Sequence, residues 1–118
     1  AEKDPAVQFL RAQAEGICVL AVEVEDAKLE YEAAVARGGK SAMAPKTFES
    51  ADGKVTRGEI WTPGKVRYAL ISRSYPNGFK GKGLFDEGMT VTRFESPMPN
   101  GLHSIDHLTN NVNIGEMD

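Results

Sequence analysis

The chain has 118 residues, 41% hydrophobic and 26% charged, which is the length and composition of one ordinary globular domain and excludes wholesale disorder. A chain of this size buries roughly two-thirds of its unfolded surface. Its net charge of -3 comes from 14 basic and 17 acidic residues with neither sign in a long run, so it lacks the basic face a nucleic-acid partner requires.

Asp4-Pro5 reads as a helix opening, because Asp can cap the free amides and Pro suits the first helical position. Ala6, Phe9, Leu10 and Gln13 follow with helical spacing, and Gly16 is the expected end. Ile17 to Val24 is then a strand, with Cys18, Leu20, Val22 and Val24 on one face. Its other face is also apolar until Glu23, which predicts cover on both sides of its first half. Cys18 is the only cysteine, so no intrachain disulfide forms, and in this apolar run its expected role is a small buried hydrophobe.

Asp26 caps a second predicted helix, Ala27 to Arg37, with Ala27, Tyr31, Ala34 and Val35 inward and Lys28, Glu30, Glu32 and Arg37 toward water. Gly38-Gly39 ends it. The chain from there to about Ser74 is strand-like, cut by a tight turn at Ala51-Asp52-Gly53-Lys54 and by a type II signal at Thr62-Pro63-Gly64-Lys65. From Ile17 the order is strand, helix and three strands in antiparallel succession. This predicts an α+β fold with a mostly antiparallel βαβββ sheet.

Residues 79–100 carry Gly and Pro and read as a connector, in which Met89 to Phe94 adds a short extended segment. Lys80-Gly-Lys82 is the one basic cluster, and its length suits a solvated loop. Pro97, Pro99 and Gly101 launch a last predicted strand, Gly101 to Val112. There His103, Ile105, His107 and Thr109 alternate with Leu102, Ser104, Asp106, Leu108 and Asn110.

That last segment holds the chemistry. Neutral imidazole is a common ligand for iron, zinc and copper. His103 and His107 share a face of a strand but lie ~13 Å apart at ~3.3 Å per residue, so at most one binds a given ion, and the flanking Ile-Asp-His-Leu favours His107. The residues alone leave two readings open, a hydrogen-bonded structural histidine (the commoner case) and a metal ligand. Strand alternation points Asp106 away from His107. No Ser, His and acid spacing marks a hydrolase, and Gly78-Phe-Lys-Gly81-Lys-Gly83 lacks the strand and helix of a phosphate loop. Trp61 and Tyr68 are spaced as sheet-face or core aromatics. No apolar run reaches the ~20 residues a bilayer span needs, and no leader is evident. Ala1 in place of Met fits a processed or truncated start, and the default setting is reducing and cytoplasmic.

Gly101-Leu-His-Ser-Ile-Asp-His-Leu-Thr-Asn-Asn-Val112, followed by Gly115-Glu-Met117, resembles the inter-domain junction of 4-hydroxyphenylpyruvate dioxygenases. Gly16 to Ala27 is similar to the strand-to-helix start of the second module in their amino-terminal domain. The resemblance implies the vicinal oxygen chelate fold, with residues 1–78 part of the amino-terminal domain and its module starting near 17. It makes 79–100 a connector and 101–118 the first strand of the catalytic domain. It also implies an oxidoreductase of tyrosine and phenylalanine catabolism, a homo-oligomer using Fe(II) to turn 4-hydroxyphenylpyruvate and O₂ into homogentisate and CO₂.

In that family the histidine of the Ile-Asp-His-Leu/Val-Thr segment is the first ligand of a facial triad of two histidines and one glutamate, which makes His107 the implied metal ligand. The other two ligands have no equivalent here, His103 matches no ligand position, and Asn110 stands where some relatives carry another histidine. The expectation is a portion of the enzyme that is inactive alone, with no membrane or nucleic-acid partner. Two other readings share the fold. One is hydroxymandelate synthase; the other is a stand-alone glyoxalase/bleomycin-resistance-type module that binds a small molecule.

Overall fold

Local capping sets both helices. A computed structural model describes residues 3–50, 53–76, 101, 102, 104–112, 114 and 115. Helix α1 spans Pro5–Gln13, with the Asp4 carboxylate accepting from the Ala6 amide at 2.8 Å. It stops ahead of Gly16, at Ala14, whose φ of 61° ends the helix while its N–H donates to the Leu10 carbonyl. Helix α2 spans Ala27–Ala36, and one Asp26 oxygen accepts from the Lys28 and Leu29 amides at 2.9 and 3.1 Å. At its other end Gly39 donates to Ala34 and Gly38 to Val35, the paired bonds of a Schellman motif.

Four strands follow the predicted order: β1 Val19–Glu23, β2 Lys40–Ser50, β3 Gly53–Trp61 and β4 Arg67–Ser74. The sheet order is β1-β4-β3-β2, with β1 parallel to β4 and the other pairs antiparallel. The α+β, mostly antiparallel βαβββ reading therefore holds. The β3–β4 turn uses Gly64 at φ 82° and ψ 13°, the third-position conformation of a type II turn, where a side chain is strained. Thr62 closes it, its amide and hydroxyl both donating to the Val66 carbonyl at 2.9 and 2.8 Å.

The register assigns two faces. Tyr68, Leu70 and Ser72 of β4 share a face with Thr56, Gly58 and Ile60 of β3, and α2 packs there. Ser72 Oγ accepts from the amide of Ala27, which is fully buried. Gly58 allows the close approach: a Cβ there would lie 3.1 Å from Pro45 Cγ and 3.2 Å from Tyr31 Cδ2. The opposite face carries Arg57, Glu59 and Trp61 of β3 beside Arg67, Ala69, Ile71 and Arg73 of β4.

Three expectations need correction. Val19 and Leu20 are half-buried, while Ala21, Val22 and Glu23 are exposed, because among the described strands β1 lies at the sheet edge and pairs with β4 alone. Cys18, just outside that strand, is half-buried rather than enclosed. Val35, expected inward, is exposed in the last turn of α2. The whole of the 79–100 connector prediction, including Met89 to Phe94 and Lys80-Gly-Lys82, falls outside the described residues. No helix among the described residues is long and apolar enough to cross a membrane.

Candidate functional site

His107 does not stand on a strand here. The described residues of 101–112 form neither helix nor strand, and Leu102, Ile105 and Leu108 are exposed. The physical reason is the absence of a ladder: a strand's extended backbone is held by hydrogen bonds to a neighbour, and no described strand pairs with this segment. It touches the β3–β4 turn, where the Asn110 amide lies 3.4 Å from both Thr62 Oγ1 and the Pro63 carbonyl.

Without strand alternation, neighbouring side chains are free to meet. His107 Nδ1 lies 2.7 Å from Asp106 Oδ2, against the expectation that Asp106 points away. The two side chains are 77% and 97% exposed, so the contact is open to water and adds little to stability. Its chemical effect is on tautomer. An ionised carboxylate only accepts, so Nδ1 carries the hydrogen and a neutral ring leaves its Nε2 lone pair outward. That arrangement suits one metal bond and supplies no more than one. Among the described residues no three His, Cys, Asp or Glu side chains are placed to hold an ion. These residues therefore do not form an iron site by themselves. His103 lies outside the described residues, so its separation from His107 is not defined.

A second polar constellation lies on the sheet face away from α2, where composition and motif pointed to nothing. Glu59 is only 2% exposed. Its Oε1 accepts from Arg57 Nε and Nη2 at 2.9 and 2.6 Å, and its Oε2 accepts from Arg67 Nη1 at 2.7 Å. The Arg67 guanidinium stands 5.8 Å from the Trp61 ring centre, within cation–π range. Strand alternation sets Arg57, Glu59 and Trp61 on one face of β3. The missing signal was register, since only the turn at Pro63-Gly64 sets Arg67 opposite Trp61 and two pairs along from Glu59, on the same face.

The strand order, one crossover helix and parallel β1–β4 pair define a module of the vicinal oxygen chelate class. No protein-family model matches the chain. Curated relatives do: it is 32% identical to a 4-hydroxyphenylpyruvate dioxygenase of Yarrowia lipolytica over 100 residues, covering 84% of this chain and 25% of that protein. A protein of the same name from Tetrahymena thermophila is 31% identical over 82% of the chain and 24% of its own length. That from Legionella pneumophila is 32% identical over 87% and 26%. The chain is similar to 4-hydroxyphenylpyruvate dioxygenases along more than four-fifths of its length and spans about a quarter of the length of these relatives.

Proposed function

We propose that the chain is one portion of an Fe(II)-dependent dioxygenase that converts 4-hydroxyphenylpyruvate and O₂ into homogentisate and CO₂, and that the portion alone performs no turnover. The observation that carries this reading is the similarity to dioxygenases along more than four-fifths of the chain. In this reading residues 1–78 belong to an amino-terminal domain, 79–100 connect, and 101–118 open the catalytic domain. His107 contributes one imidazole to the iron, and polypeptide beyond these residues contributes the rest. Its Nδ1–H contact with Asp106 supports the role, because it leaves Nε2 as the donor atom.

The test is oxygen uptake with 4-hydroxyphenylpyruvate and Fe(II), with homogentisate quantified in parallel. The full-length protein containing this segment should consume O₂ and yield homogentisate in equal amounts, while the 118-residue chain should match the protein-free blank. Turnover by the 118-residue chain would overturn the division of labour. A full-length protein inert toward this keto acid would overturn the assigned substrate, and mandelate-type product in place of homogentisate would reassign the reaction.

A further inference from the structure

Helix α1 lies over the end of the sheet and leaves a cleft of about 270 Å³ between Gln8, Phe9 and Gln13 on the helix and Trp61, Lys65 and Arg67 beneath. Its remaining lining is Pro5, Ala12 and Ala42, so the walls are mainly hydrocarbon. The volume lies just below the ~300–1,000 Å³ of drug-sized pockets, enough for a single ring with a short arm. Phe9 and Trp61 supply aromatic surface. Lys65 and Arg67 are cationic, and none of the described lining residues is acidic.

We propose that this cleft binds a small single-ring aromatic carboxylate. Charge selects an anion. Glu59 is shared between Arg57 and Arg67, so it offsets only one of the two guanidinium charges, and Lys65 adds a further cation at the cleft. The mainly hydrocarbon walls favour an anion carried on an aromatic ring over a bare inorganic ion. A guanidinium has five N–H donors, so the Glu59 bond leaves donors on the same planar fork for a second carboxylate. The Arg67 guanidinium stands over Trp61 at 5.8 Å from the ring centre, which sets that fork beside the aromatic surface of the cleft. The side-chain amides of Gln8 and Gln13 are the polar groups that would orient the arm.

Lys65 is brought there by the turn: it follows Gly64 with a positive φ of 65°, directly before the Val66 carbonyl that Thr62 grips. His107 is not among the lining residues, so the cleft stands or falls independently of the iron reading.

Trp61 is the only tryptophan, so intrinsic fluorescence reports on the cleft directly. Phenylacetate titrated into the 118-residue chain should change its emission saturably, and cyclohexylacetate should bind more weakly. Lys65→Gln should raise the dissociation constant about threefold to fivefold, the scale of an exposed ion pair, and Lys65→Arg should restore it. Phe9→Leu keeps apolar volume but removes the ring, and should weaken binding about fivefold to tenfold. Far-UV circular dichroism of each variant verifies that α1 persists, and a variant that loses α1 is replaced by Gln13→Leu, which should also weaken binding. A linear, unsaturable response overturns the proposal. So does saturable binding unchanged by Lys65→Gln and Phe9→Leu, or equal affinity for phenylacetate and its neutral amide.

Discussion

The sheet module and the histidine segment carry sequence patterns of equal clarity, yet only one becomes the structure its pattern describes. Between Val19 and Ser74 every strand finds a neighbour, and alternation is converted into faces. Between Leu102 and Val112 the same alternation pairs with no described strand, and Leu102, Ile105 and Leu108 are exposed. Alternation specifies which side chains share a face if a ladder forms; it does not supply the ladder. Contacts inside the module should therefore be costly to break, whereas changes in the tail should leave the stability of this chain unmoved.

The largest expected effect is at Glu59. Glu59→Ala removes the buried carboxylate that both Arg57 and Arg67 face, and should destabilise the chain by about 3–5 kcal/mol, read from a urea midpoint. Little change there would show that the two arginines are hydrated without it. Gly58→Val comes next: even its Cβ sits within 3.2 Å of Pro45 and Tyr31, and overpacking of this kind costs about 1–3 kcal/mol by the same measurement.

Asp26→Ala should cost about 1 kcal/mol, because the α2 amides of Lys28 and Leu29 lose their acceptor. The smallest effect sharpens the contrast. His107→Ala and Asp106→Asn should each move the thermal midpoint of the 118-residue chain by no more than an ordinary surface change, within about 0.5 kcal/mol. A larger shift would show that the tail is packed in solution.

Much of the module was legible because its signals are local. Asp4 and Asp26 cap as their side-chain chemistry dictates, and Pro63-Gly64 turns the chain where expected. What escaped was non-local. The exposure of Ala21 and Val22 follows from the edge position of β1, which no run of apolar residues discloses. The Glu59 ion pairs depend on which residues the β3–β4 register sets side by side, and the α1 cleft depends on where a short helix comes to rest. At the candidate site, the flanking residues single out His107 as a candidate ligand and go no further. Its contact with Asp106 was not legible, since the strand rule that separates adjacent side chains applies only to a strand that is paired.

The most direct measurement is iron bound per polypeptide in the full-length protein, compared with its His107→Ala variant after identical loading with Fe(II) under anaerobic conditions. The account predicts near-stoichiometric iron in the parent and near-zero retention in the variant, with the fold unchanged by circular dichroism. Full iron content in the variant would contradict it.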